Sequence, residues 1–329
     1  MTLPLSIWVV SDGRTGMENQ ALGLAEAVQR LEPAEITIKR IRWRGLFDKL
    51  PSALKTGAML HPSADSAAPA PGEAWPDLWI ATGRATLPLS ARVRRRSGGK
   101  TLVVQTQDPR WKRDAYGLVI APAHDAVAGP NVLSITGSPH RVTPERLAEG
   151  AAGFEAALSA LPRPRVAILI GGRSAAFDLT GAHAAELAMS AGDAVEAAGG
   201  SAMVTYSRRT PTDAREVFTL EMSVNPDFPR FIWDGTGPNP YFAFLHYADH
   251  ILVTEDSANM AAEAASTGKP VHILPMLPLK PPGKFARLHA DLKQRGAARP
   301  FDGTLDRWDY EPLAETERAA KAVLAKLGR

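Results

Sequence analysis

The chain has 329 residues, enough for two domains at about 150 residues each. Its 38 Lys and Arg against 35 Asp and Glu leave a net charge of +3, too small for a dedicated nucleic-acid partner. Hydrophobic residues at 45% and charged residues at 22% exclude disordered and fibrous classes, and the lack of Cys excludes disulfides, thiolate metal sites and a cysteine nucleophile.

The opening MTLPLSIWVVSDG has no basic segment, and its apolar run Ile7 to Val10 is too short to span a bilayer. It reads as a first strand, Leu5 to Val10, with Met1 the expected mature start and the cytoplasm the expected compartment. A glycine-containing loop follows, then a helix from Glu18 to Leu31 with Leu22, Ala25, Val28 and Leu31 at helical spacing. Strands are expected at Ile36 to Ile41, Leu78 to Ala81, Thr101 to Gln105, Leu118 to Ala121 and Val132 to Ile135. The Pro-, Ala- and Ser-rich stretch His61 to Pro76 is expected to be a mobile surface loop. A helix from about Pro144 to Ala160 then leads to a domain boundary near Pro162.

The second half restarts with strand Val166 to Ile170, the pair Gly171-Gly172, a helix to about Ala198 and a strand Ala202 to Tyr206. Thr210 is placed to cap the next helix, with Pro211 at its first position and Asp213 complementing its dipole. Asn239-Pro240 opens a helix through Tyr247, and His250 to Thr254 forms a strand. Then come an Ala-rich helix stopped at Gly268 and a further strand to Pro275; a helix from about Leu313 to Leu327 ends the chain. The expected domains are thus 1–161, 162–312 and a terminal helix 313–329.

Regular alternation of strand and helix implies two mostly parallel sheets covered by helices. In such folds ligands bind beyond the carboxyl ends of the strands, so loops 11–16, 82–84, 106–110, 171–174, 207–210 and 254–258 hold the candidate residues. In the first, Gly13 and Gly16 permit close backbone approach, Arg14 offers a fork for an anion, and Asn19 and Gln20 offer amides to a hydroxylated ligand. The loop is neither a dinucleotide fingerprint nor a Walker A sequence. Asp12 is the first candidate for a general base and Asp108 the second; a carboxylate in a turn also serves as a simple cap. Gly83, Arg84 and Gln107 complete this group. His124-Asp125 reads either as an acid–base pair or as structural.

In the second half, Gly171, Gly172, Arg173 and Ser174 form one loop, and Ser207, Arg208 and Arg209 bring two arginines to the same end of the sheet. Asp256 or Ser257 is placed to cap the following helix, leaving the N–H groups of Ser257, Ala258 and Asn259 for an anion such as phosphate. Glu263 is suited to accept hydrogen bonds from the vicinal hydroxyls of a ribose, or is a solvated helix-face carboxylate. Arg92, Arg94, Arg95, Arg96 and Lys100 read either as a solvated face or as a contact for an anionic membrane surface. The histidine spacing and the lack of Cys argue for no metal, and nothing in the sequence calls for a bound cofactor.

The segment YADHILVTEDSANMAAEAASTGKPVHILP, Tyr247 to Pro275, resembles the nucleotide-sugar-binding segment of the GT-B glycosyltransferases, above all those that transfer N-acetylglucosamine to lipid-linked acceptors. The resemblance implies two Rossmann-like α/β domains in a GT-B arrangement with a central cleft. It also implies that Glu263 holds the ribose of a nucleoside-diphosphate sugar, UDP-linked, and that Ser257, Ala258 and Asn259 face its diphosphate. Gly171 to Ser174 match the Gly-Gly-Ser loop of those enzymes. VTYSRRT at Val204 to Thr210 resembles the His-Arg motif of the UDP-N-acetylglucosamine epimerases, with Ser207 in place of the His, which disfavours epimerisation.

A broader resemblance rests on SDGRTGMENQALGLAEA (11–27), ATGRATLPLS (81–90), VVQTQDPR (103–110), IGGRSAAF (170–177), SRRTP (207–211) and GPNPYFAFL (237–245). Together these are similar to the "elongated mitochondria" family of mitochondrial-fission proteins, whose plant members recruit a dynamin-related protein. Two expectations follow: transfer of a sugar, without metal, to an acceptor that is lipid-linked or part of the envelope, or a non-catalytic binding and scaffolding role on the same fold.

Overall fold

A computed structural model describes residues 3–41, 43, 50, 74–281 and 283–329. The expected loop beginning at His61 lies outside them as far as Glu73. The described residues divide into two compact units, Met1–Arg141 with Ala314–Arg329, and Val142–Leu313.

In unit 1, β1 (Leu5–Ser11), α1 (Thr15–Leu31), β2 (Ala34–Arg40), β3 (Leu78–Thr82), α2 (Leu87–Arg96), β4 (Leu102–Thr106), β5 (Leu118–Pro122) and β6 (Val132–Ile135) follow one another, and α10 (Glu315–Leu327) returns from the end of the chain. The strands form a six-stranded sheet in the order β2-β1-β3-β4-β5-β6, and each pair is parallel. One face packs Ile7, Val9, Ile80 and Ile120 against α1 and α10; the other packs Trp8, Val10, Trp79 and Val103 against α2. Burial on both faces explains why these strands are continuous apolar runs rather than alternating ones.

Unit 2 contains α3 (Pro144–Ala151), α4 (Glu155–Leu158), β7 (Arg165–Ile170), β8 (Phe177–Asp178), α5 (Gly181–Ala197), β9 (Ser201–Tyr206), α6 (Thr212–Glu221), β10 (Arg230–Ile232), α7 (Tyr241–Tyr247), β11 (His250–Thr254), α8 (Ala258–Ala265), β12 (Val271–Leu274), β13 (Leu277–Pro278), α9 (Lys284–Gln294) and β14 (Ala298–Pro300). Its main sheet runs β10-β9-β7-β11-β12-β14, again parallel throughout, and β13 pairs antiparallel with β8 beside it. Along β7, Ala167 and Leu169 enter one core, and Val166, Ile168 and Ile170 the other. Each unit is therefore a Rossmann-like layer sandwich. Among the described residues no helix is long and apolar enough to cross a membrane.

Two local expectations need correction. The helix expected from Pro144 to Ala160 is broken into α3, a 3-10 turn at Ala152–Phe154 and α4. It belongs to unit 2, because α3 packs tightly on α7: a Cβ on Gly150 would lie 2.6 Å from the Cβ of Phe242. The boundary accordingly falls after Arg141 and not near Pro162. Helix α1 begins at Thr15, three residues before Glu18, which places that carboxylate in its first turn.

Candidate functional site

Each sheet changes the direction of its strand order once, between β1 and β3 in unit 1 and between β7 and β11 in unit 2. Such switch points open a crevice at the carboxyl ends of the strands.

In unit 2 the two strands at the switch end at Ile170 and Thr254. The N–H of Gly171 donates to the Thr254 hydroxyl at 2.7 Å, and the N–H of Gly172 donates to the Asp256 carboxylate at 3.0 Å. Asp256 also accepts from the Thr254 hydroxyl at 2.8 Å and pairs with the Arg209 guanidinium at 2.8 Å. Its side chain is fully buried, so three donors compensate a charge that would otherwise be costly to bury. The approach is so close that a Cβ on Gly171 would sit 2.1 Å from an Asp256 oxygen, and one on Gly172 would sit 2.1 Å from the Arg209 carbonyl. Both glycines are thus required by contact between backbone and neighbouring groups.

Asp256 therefore does not cap α8, as the sequence suggested; it ties together the ends of β7, β9 and β11. The N-cap is Ser257, whose side chain makes no capping bond, and the Ser257 N–H is taken by the Thr254 carbonyl at 3.2 Å. The carbonyls one turn earlier are engaged elsewhere, Thr254 by the Ser257 N–H and Glu255 by the His289 ring, and no bond from the N–H groups of Ala258 and Asn259 is seen among the described residues. Thr210 likewise does not cap α6, which starts at Thr212 behind Pro211. Its hydroxyl donates to the carbonyls of Ile170 and Gly171 and holds the turn after β9 against the end of β7. Ser207 shapes the same turn, its hydroxyl accepting from the Arg209 N–H at 3.1 Å.

Arg173 is drawn away to Asp178, Nε to Oδ1 at 2.6 Å, and the Ser174 hydroxyl accepts from the N–H groups of Ala176 and Phe177. Arg208 is exposed and makes no ion pair among the described residues; it lines a groove of about 920 Å³ between α6 and β10 together with Arg215 and Trp233.

Glu263 lies in α8 and accepts a hydrogen bond from the hydroxyl of Tyr241, the first residue of α7. Burial raises its carboxyl to about 7 and pushes the Tyr241 phenol well above its ordinary range. It is not a solvated helix-face carboxylate. Lys269, just beyond Gly268, donates to the carbonyls of Leu245 and His246 at the end of α7; burial lowers its ammonium to about 8.

In unit 1, β1 ends at Ser11, whose hydroxyl donates to Glu18 at 2.7 Å. Arg40 grips the same carboxylate with two bonds, at 2.9 and 2.8 Å. These bonds to Arg40 hold the Glu18 carboxyl below its usual value against the effect of its burial. One oxygen of Asp12 accepts from the Arg14 N–H at 3.1 Å; the other lies 3.5 Å from the Arg14 guanidinium and 3.9 Å from the position of a Cβ on Gly83. The first and third strands thus bring Asp12 and Gly83 together. Gly16 has open space around it, and Arg14 and Arg84 are exposed.

Gln20 and Gln107 join α1 to the loop after β4, Nε2 of Gln107 donating to Oε1 of Gln20 at 2.9 Å, with Asn19 beside them on α1. Gln107, Arg110 and Lys112 all have positive φ, at 70°, 52° and 47°, a strained run for residues with side chains. Asp108 is held by Arg113 through two bonds at 2.8 and 3.2 Å and by the Arg110 N–H, which together keep its carboxyl low despite its burial. His124 is buried, 3.9 Å from Asp125. Glu18, Arg40, Thr254 and Tyr241 were not singled out from the sequence; Arg40 and Tyr241 meet their partners only through the fold, whereas Thr254, two residues before Asp256, and Glu18, seven after Ser11, left a local trace.

Two parallel α/β units of this kind define the Rossmann-pair fold seen in the UDP-GlcNAc 2-epimerase of Methanocaldococcus jannaschii, solved in complex with UDP-GlcNAc and UDP. The two chains match with a TM-score of 0.53 at 12% identity, covering 98% of this chain and 99% of the epimerase. The family model for mitochondrial fission ELM1 matches residues 15–327, and the chain belongs to that family. The mitochondrial fission protein ELM1 of Arabidopsis thaliana is 31% identical over 281 residues, 77% of this chain and 64% of the plant protein, so the chain spans somewhat less than two thirds of that relative. The protein RP120 of Rickettsia prowazekii is 25% identical over 362 residues, 97% of this chain and 98% of its own length.

Proposed function

We propose that unit 2 binds a nucleoside-diphosphate sugar, UDP-linked, and that the protein transfers the sugar to an acceptor bound by unit 1. The observation that carries this reading is the pairing, on one short helix, of an open N-terminus at Ala258 and Asn259 with the half-buried carboxylate of Glu263 one turn further on. The first favours a diphosphate. The second favours ribose hydroxyls, which are donors that a carboxylate accepts. Arg208 and the partly exposed Arg209 would neutralise the departing diphosphate, an electrostatic contribution that needs no metal. The neighbouring fold supports the choice of nucleotide, since that epimerase holds UDP-GlcNAc and UDP.

For the acceptor, Asp12 is the better base: among the described residues its second oxygen is engaged only by the exposed Arg14, whereas Asp108 is committed to Arg113. The amides of Asn19, Gln20 and Gln107 would orient hydroxyls. The commitment of Asp108, together with the family's fission role, also supports a second reading in which the nucleotide sugar is bound and not turned over.

Thermal unfolding of the protein against a panel of nucleotides and nucleotide sugars tests the donor site, because a ligand at 100 times its Kd adds about 2.7 kcal/mol. A shift with UDP compounds that disappears in Glu263→Ala is expected. No shift with any nucleotide overturns the reading. Release of UDP from a UDP-sugar in the presence of lipid extract, lost in Asp12→Asn, separates transfer from binding alone.

A further inference from the structure

At the amino-terminal ends of β4 and β5, away from the site described above, unit 1 carries a cavity of about 880 Å³. Arg94, Lys100, Arg113 and Lys326 line it, with Asp114 as the only acidic side chain of the lining among the described residues. Arg113 is bound to Asp108. Arg94, Lys100 and Lys326 are exposed and are drawn into no ion pair among the described residues. They come from distant parts of the chain, the end of α2 and the last turn of α10, so the fold gathers them.

The local structure explains how they are presented. Helix α2 ends in Arg94, Arg95 and Arg96, and the chain turns at once through Gly98 and Gly99, with φ of 64° and 81°. The N–H groups of those glycines close on the carbonyls of Arg95 and Arg94, as in a glycine-terminated helix. The floor is fixed by Asn131, whose amide donates to the carbonyls of Arg113 and Tyr116 at 2.8 and 2.9 Å. Gly99, Gly117 and Gly129 also line it; a Cβ on Gly117 would lie 2.5 Å from Leu102 Cδ1.

A concave site of this size with three uncommitted cations and one acid has the chemistry of an anion receptor. We propose that this cavity binds a phosphate-monoester group, seated among Arg94, Lys100 and Lys326. A lipid headgroup and a free phosphorylated solute share that chemistry. The proposal does not rest on the nucleotide-sugar reading: the donor site belongs to unit 2, and the cavity lies at the opposite end of the unit 1 sheet from Asp12, with Arg113, bound to Asp108, as a lining residue that reaches the other end.

Two assays on the full chain test it. Flotation with phosphatidylcholine vesicles, with vesicles containing phosphatidic acid, and with vesicles of equal charge made with phosphatidylserine reads the lipid source; calorimetric titration with glycerol phosphate and inorganic pyrophosphate reads the free one. We expect binding in at least one arm, with phosphatidic acid favoured over phosphatidylserine if the lipid arm responds. The double variant Lys100→Glu with Lys326→Glu should weaken it by about fivefold or more per charge, whereas Lys293→Glu, an exposed lysine of unit 2, should leave it unchanged. All three positions, the two tested and the one spared, are exposed, and unaltered thermal unfolding confirms folding. Absence of binding in both arms, equal retention on both anionic vesicles, or binding unaffected by the double variant overturns the proposal.

Discussion

The Glu263 carboxyl, set against the Tyr241 hydroxyl, carries a stability cost that depends on pH. Its ordinary carboxyl value of 4.5 is raised to about 7 by burial, so the folded protein holds that proton more tightly than the unfolded chain. The associated stability is present below pH 4.5 and is lost as pH rises through 7. Glu263→Gln keeps the size and carries no charge. The variant should match the wild type near pH 5 and become more stable above pH 7, by at most about 3 kcal/mol for a shift of this size, as read from thermal unfolding across that range. A difference that does not change with pH would mean that the carboxylate is solvated. Asp256 is the opposite case, a buried carboxylate with its donors in place. Removing it in Asp256→Ala strands the Gly172 N–H and releases Arg209, and should cost about 3 kcal/mol or more, measured by denaturant unfolding.

At the scale of elements, glycines in helix α1 separate two kinds of requirement. Gly16 has open space at its Cβ position and no positive φ, while a Cβ on Gly23 would lie 2.4 Å from the His140 carbonyl oxygen. Gly16→Ala should therefore stabilise by up to about 1 kcal/mol through helix propensity, and Gly23→Ala should destabilise by about 1–3 kcal/mol or more, since backbone must move. If Gly16→Ala gains stability but loses ligand affinity, the loop from Ser11 to Gly16 touches the ligand; unchanged affinity limits it to a turn.

The same scale shows what the sequence could reveal. The alternation of short apolar runs with helical spacing made both sheets readable, because parallel strands buried on two faces, such as VAILI after Arg165, leave a pattern within a few residues. Loop residues at strand ends were readable for the same reason. The roles of Asp256 and Thr210 were not, because a carboxylate before a helix looks like a cap whether it faces the helix or, as here, folds back onto a glycine pair more than eighty residues earlier. The Tyr241–Glu263 contact and the grip of Arg40 on Glu18 depend on how helices and strands sit side by side, for which neither partner carries a local mark.

Across the whole molecule, buried histidines are expected to set the acid limit of stability. His140 in unit 1 and His272 in unit 2 are both lowered to about 4 by burial, and His250, 3.3 Å from His272 between ring nitrogens, is lowered as well. Protonation of either member of that pair opposes protonation of the other. A depressed histidine binds its proton less readily in the folded state, so stability is complete above about pH 6.5 and is lost as pH falls towards 4. Shifts of this size are each worth on the order of 3 kcal/mol, and the protonation of Glu263, which acts in the other direction over part of the same window, offsets about one of them. The paired carboxylates Glu18 and Asp108 are held below their ordinary values of 4.5 and 3.8, so their loss begins only at lower pH. The melting temperature should thus fall between pH 6.5 and 4, before the carboxylates titrate. Because each unit holds its own buried histidine, His140→Gln and His272→Gln should each flatten part of that decline, and the double variant more than either. A decline that starts only below pH 4.5, or that neither substitution alters, would assign acid unfolding to the carboxylate pairs instead.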